Sequence, residues 1–239
     1  MNETVVTYLG NDDVESENKE LAEVRKELAE ERAAMELYGA EGKPEEGLNT
    51  ETGVSGGPMN TISGVLLDPQ NVKPDDIRLY DIAHPLSFIC RGVGQVKHFL
   101  SVGQHCINCA KEAEGRGYSD RVILACLLHD GAEAYVSDII RPVKVLLNNF
   151  DEIENRFQEA IYAHFGLEDL TEEERELVHL IDDAMLWNEA KELFAHVDEL
   201  EPPLLSTLPN FKVRDFQEVE NEFNLMAVNL LHRLGDSRL

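Results

Sequence analysis

The sequence predicts an all-α fold on three observations. Apolar residues recur at helical spacing through most of the chain after residue 58, Ser or Thr stands where helix N-caps belong, and strand signals are few and short. Ser101 caps a helix that ends at Gly115 to Gly117. Ser119 caps a second, through Val122, Leu124, Ala125, Leu127 and Leu128, dense enough in apolar residues for a buried element. Leu146 to Phe165 is a third helical pattern. Thr171 with Glu174 forms a capping box ahead of Leu177, Leu180, Ile181, Met185 and Leu186. Phe216 to Leu234 is the last, and the whole reads as a bundle of about five to seven helices.

The chain divides into an acidic extension and linker, residues 1–57, and a globular domain, residues 58–239. Glu17 to Tyr38 is rich in Glu, Lys, Arg, Ala and Leu, with Leu21, Val24, Leu28 and Met35 as a thin apolar stripe; it reads as a charged helix. Residues 39–58, rich in Gly, Glu and Thr, read as a disordered linker. With 239 residues and 43% hydrophobic content, the rest can bury one sizeable core.

Net charge is −26, from 21 Lys+Arg against 47 Asp+Glu, which argues against a nucleic-acid polymer or an anionic membrane as partner. A small anionic substrate stays compatible, because a metal or a few local cations can invert the field in one pocket. Met1 to Gly10 lacks the basic and apolar stretches of a signal peptide, and no apolar run approaches the length of a transmembrane helix. Four cysteines in apolar or helical context (Cys90, Cys106, Cys109, Cys126) suggest reduced thiols, so the expected location is cytoplasmic.

The chemistry gathers around Leu127-Leu128-His129-Asp130-Gly131-Ala132-Glu133. Two ionisable side chains at the end of a buried segment are costly unless paired or bound to a metal. On a continuing helix Glu133 shares their side, where a carboxylate can act on a water. His105 lies on the preceding helix, and Asp182 with Asp183 on a later one. Together they make a mixed nitrogen and oxygen set suited to a first-row divalent ion.

This pattern, His105, then His129-Asp130, then a later Asp, resembles HD-domain metal-dependent phosphohydrolases, in particular the bacterial and phage branch related to 5′-deoxynucleotidases. Thr61-Ile62-Ser63-Gly64 resembles that branch's opening T-x-S-G, and Asp81 to His84 through Cys90-Arg91 its DIAH…CR segment. Ser101 to His105 resembles its SVAEH, His129 to Lys144 its HDAAEAYLGDIPRPLK, and Asp182 to Ala190 its closing D-x6-EA. The resemblance covers roughly Asn60 to Leu193.

It implies an HD-domain helical bundle in which His105, His129, Asp130 and Asp182 hold a divalent ion (Mn, Co, Fe, Ni, Mg or Zn). Glu133 then acts on the nucleophilic water and Asp138 near the leaving group, while Arg91, Gln95 and Lys144 face the substrate. Asp182 is preferred to Asp183 because its spacing to Glu189 puts both on one helix face. Where the branch carries Gly-His this chain has Gly94-Gln95; the aromatic before SVAEH is Leu100, and the following Ser is Cys106. Cys106 and Cys109 read as packed core thiols rather than as a metal or redox pair.

The expected activity is phosphate release from a (deoxy)nucleoside 5′-monophosphate. The alternatives are a dNTP triphosphohydrolase, a silent nucleotide-binding module, or an interaction protein working through its acidic helix. Oligomeric state, a homodimer included, is left open.

Overall fold

A computed structural model describes residues 57–197, 199 and 201–235. The charged helix expected before Tyr38, and the linker up to residue 56, lie outside the described residues. In chain order the helices are α1 (Leu79–Phe88), α2 (Val102–Gly115), α3 (Asp120–Leu128), α4 (Glu133–Val136), α5 (Arg141–Lys144), α6 (Phe150–His164), α7 (Glu172–Leu193) and α8 (Phe216–Arg233). Six of these have nine residues or more, and α4 and α5 are single turns. The fold is an all-α bundle.

The expected caps are present. Ser101 accepts from the Gln104 amide and Ser119 from that of Val122. Thr171 and Glu174 complete a reciprocal capping box. Each satisfies amide groups that a helix start leaves without partners. The third helix begins at Phe150 instead of near Leu146, because Asn149 takes a left-handed conformation (φ 66°) that Asn tolerates and a helix does not propagate through.

Helices α2 and α3 form the centre. α2 packs against α1, α3, α7 and α8, and α3 against α6, α7 and α8. Hence Val122 to Leu128 is buried at every position, as its continuous apolar run demands. α1 is the long helix that the periodicity does not assign. Pro85 lies inside it, removing one amide donor and weakening the helical signal. Ahead of it, Met59–Asn60 pairs antiparallel with Leu66–Leu67. Their turn is tied to α1, with the Ser63 amide and hydroxyl donating to Asp81 at 2.8 and 2.6 Å.

Residues 201–215 run without regular structure across one face of α2. Gln104, Asn108 and Glu112, one helical turn apart, hold this strap. Gln104 Nε2 donates to the Asn210 and Lys212 carbonyls, and Asn108 exchanges two bonds with Asn210. The fully buried Glu112 carboxylate accepts from the amides of Ser206 and Thr207, the Thr207 hydroxyl and Arg116. No helix among the described residues is long and apolar enough to cross a membrane.

Candidate functional site

α3 ends at Leu128, with His129 as its C-cap, and the reason sits on α6. A continuing helix would bond the Ala132 amide to the Leu128 carbonyl. The Gln158 side chain takes both partners instead, accepting from Ala132 N (3.1 Å) and donating to Leu128 O (2.8 Å). The chain therefore turns at Asp130-Gly131 and restarts as α4 at Glu133. Gly131 packs closely there; a Cβ would lie 3.0 Å from Leu128 O and 3.1 Å from Ile161 Cδ1. The helix expected to run on through Glu133 is thus broken, yet Glu133 still lines the same cavity as His129 and Asp130.

The four residues expected to hold a metal converge. His105 Nε2 lies 3.2 Å from His129 Nε2, 3.2 Å from Asp182 Oδ1 and 3.6 Å from Asp130 Oδ2. His129 Nε2 lies 3.3 Å from Asp130 Oδ1 and 3.5 Å from Asp182 Oδ1. Two donors each about 2.1 Å from one ion stand roughly 3.0–3.4 Å apart at angles of about 90–109°, so these separations approximate the edges of a coordination shell. Asp183, the alternative to Asp182, is exposed.

The ring tautomers fit the same purpose. His129 Nδ1 donates to the Cys126 carbonyl at 2.8 Å, and His105 Nδ1 donates to Glu189 Oε1 at 2.7 Å. With each ring neutral, as a metal ligand is, both Nε2 lone pairs would point inward 3.2 Å apart, and a cation between them would remove their repulsion. These buried His and Asp side chains could hold a metal ion.

Two thiols belong to the same neighbourhood. Cys109 Sγ is 3.6 Å from Nε2 and 4.0 Å from Nδ1 of His105, so it lies beside the ring and not along the Nε2 lone pair. Burial pushes the Cys106 thiol above its ordinary pKa, which disfavours a thiolate ligand. Both are buried and free, and each stands in a group of side chains that could hold a metal ion, Cys109 with His105, His129 and Asp182, and Cys106 with His129 and Asp130.

The electrostatics are those of a cation site. Burial works against charged imidazoles, yet Asp130 and Asp182 raise His129 well above its usual value. For His105, burial and Arg91 oppose the charge, but Cys109, Glu189 and Asp182 prevail and raise it. Against burial, His129 and Arg91 hold Asp130 at about 2, and the two imidazoles hold Asp182 well below the carboxylate range. Glu133 goes the other way. Burial, with Asp130 and Asp138 adding to it, pushes its pKa well up, and its buried Oε2 has no hydrogen-bond partner.

Of the other expected site residues, Arg91 and Asp138 adjoin the cluster, Lys144 lines the cavity and Gln95 lies apart. Arg91 is committed to carboxylates, with Nε 3.3 Å from Glu189, and Nη1 3.3 Å from Asp130 and 3.9 Å from Asp138. Asp138 accepts from the Gly92 amide at 2.7 Å, fixing the turn that carries Arg91. Lys144 lines the cavity and pairs with Glu154. Gln95 is exposed and does not line it. Three residues had no assigned role: Glu189, whose spacing to Asp182 was the available signal, and Arg175 and His179, which line the cavity. The cavity encloses about 330 Å³.

No family model matches the chain. Over 109 residues it is 35% identical to the uncharacterized protein YfdR of Escherichia coli, covering 46% of this chain and 58% of that protein. Over 112 residues it is 37% identical to the uncharacterized protein RCAP_rcc00048 of Rhodobacter capsulatus, covering 44% of this chain and 57% of that one. The chain thus spans less than two thirds of the length of each of these relatives, and neither printed name carries an activity.

Proposed function

We propose that the chain is a metal-dependent phosphohydrolase of the HD type, acting on nucleotides and releasing phosphate from (deoxy)nucleoside 5′-monophosphates. The observation that carries this reading is one juxtaposition. Two imidazole Nε2 atoms and the Asp130 and Asp182 carboxylates meet beside a cavity that is also lined by Glu133, whose buried Oε2 has no hydrogen-bond partner among the described residues.

His105, His129, Asp130 and Asp182 would hold a divalent ion, which when bound supplies Lewis acidity and makes a nearby water more acidic. Glu133, its pKa raised, accepts the proton of the attacking water. The water oxygen bonds to phosphorus as the ester P–O bond breaks, and the proton on Glu133 passes to the leaving alkoxide. The products are a nucleoside and inorganic phosphate, and the carboxylate is regenerated. Asp138 and Arg91 act through the groups they fix: Asp138 raises Glu133 and anchors the Gly92 turn, and Arg91 neutralises Asp130 and Glu189.

The test is a nucleotide panel with the purified chain and Mn, Co, Mg, Ni or Zn, read as released phosphate. Turnover of 5′-monophosphates that is lost in His129→Ala supports the reading. Release of tripolyphosphate from a dNTP, or no turnover with any metal, contradicts it.

A further inference from the structure

The cavity beside the His–Asp cluster contains a cation that the fold leaves uncommitted. Lys144 is paired with Glu154 and lies over the Phe150 ring, 5.4 Å from its centroid. Arg91 is held by three carboxylates. Arg175 lines the cavity, is half-buried, and has no carboxylate within ion-pair distance among the described residues. His179, also on the cavity, has no side-chain hydrogen bond among the described residues.

Position along α7 makes these two residues a second pole of the site. Arg175, His179 and Asp182 follow at four and three residues, so they share one helix face. The rise from Arg175 to Asp182 is about 10 Å, so the two residues stand nearly two turns apart along that face. That spacing leaves room for an anion at Arg175 separate from a phosphate at the cluster. A guanidinium fits phosphate through paired N–H donors. In a chain of net charge −26 the long-range field repels anions, so a phosphate reaches this end of the cavity only by direct contact with such a group.

We infer that Arg175, with His179 beside it, is an anion subsite distinct from the metal cluster, and that beyond the monophosphates proposed above the cavity binds more tightly a small nucleotide carrying a second phosphate besides the one hydrolysed. The subsite stands on the cavity geometry alone; which phosphate is cleaved rests on the hydrolase reading above. Arg175 is then a specificity residue and takes no part in the bond-breaking step.

The experiment compares binding with turnover. Calorimetry with Mn²⁺ measures adenosine 3′,5′-bisphosphate and adenosine 5′-monophosphate on the full chain carrying Glu133→Gln, which suppresses hydrolysis during the titration. The bisphosphate is expected to bind about tenfold tighter or better, a gap of about 1.4 kcal/mol. Adding Arg175→Gln should abolish that preference. Adding Arg233→Gln, the same charge change on α8 away from the cavity, should keep it. Equal affinities, no binding of either probe, or a preference that survives Arg175→Gln overturns the subsite. Phosphate release by the unsubstituted chain is read separately. A bisphosphate preference without release from either compound keeps the subsite and sinks the hydrolase reading; release without preference does the reverse.

Discussion

Glu189 Oε1 lies 2.7 Å from His105 Nδ1, with both side chains buried. His105 and Arg91 together hold the Glu189 carboxyl below its ordinary pKa in spite of burial, so it stays ionised and orients the ring. The other ring nitrogen faces Asp182, seven residues earlier on the same helix. One face of α7 thus brackets one imidazole, fixing its tautomer from one side and completing the donor set from the other.

Glu189→Gln is therefore expected to weaken metal affinity by about 10- to 100-fold, the usual effect of losing a carboxylate behind a ligating histidine. Metal titration followed by calorimetry checks it. Unchanged affinity would mean that the ring is held in place without Glu189.

Glu133 and Asp182 should separate cleanly. Glu133→Gln should keep metal affinity while turnover falls by about 10²-fold or more, the scale for losing a general base. Asp182→Asn should lose metal affinity and regain part of its activity at high metal concentration. Rates and occupancies against metal concentration check both; metal rescue of Glu133→Gln with none of Asp182→Asn would reverse the assignments.

Gln158→Leu removes the amide that parts Ala132 N from Leu128 O. Two outcomes compete: the Ala132 amide bonds the Leu128 carbonyl and α3 lengthens, or that carbonyl keeps only the Gly131 amide (2.9 Å) and the Ala132 amide stays unpaired at a cost of about 1–3 kcal/mol. The first displaces Glu133 and should lower turnover with little change in stability; the second should shift the urea midpoint. A variant unchanged in both would show that the break in α3 has another cause.

Glu112 predicts a pH dependence of stability. Burial raises its pKa, but bonds from Ser206, Arg116 and Thr207 outweigh burial and hold it below the ordinary value. A depressed folded-state pKa contributes stability that is present above the unfolded value of about 4.3 and is lost as pH falls through the folded value. Glu112→Gln should thus cost about 1–3 kcal/mol near neutral pH, with the gap from the unsubstituted chain narrowing below about pH 4. Urea unfolding across that range checks it; a gap independent of pH would contradict the charge argument.

Features set by local rules were legible in the sequence. Ser101, Ser119 and Thr171 announce helix starts because capping is decided within four residues. His105, His129-Asp130 and Asp182 were readable as a set because each sits in its own patterned helical segment. What stayed hidden depends on partners distant in sequence. Gln158 breaks α3 from nearly thirty residues away, three carboxylates from different segments engage Arg91, and the strap on Gln104, Asn108 and Glu112 has no periodicity of its own. The T-x-S-G stretch was recognisable as a motif, but its work in clamping Asp81 is a tertiary contact.

The central claim, phosphate ester hydrolysis dependent on an ion at the His–Asp cluster, is tested most directly by phosphate release from 2′-deoxyadenosine 5′-monophosphate. The metal-stripped full chain is assayed before and after stepwise addition of Mn²⁺ or Co²⁺. The account predicts no release before addition, a rise that saturates with metal occupancy, and no rise in His129→Ala. Release that is unaffected by stripping, or that survives His129→Ala, would contradict it.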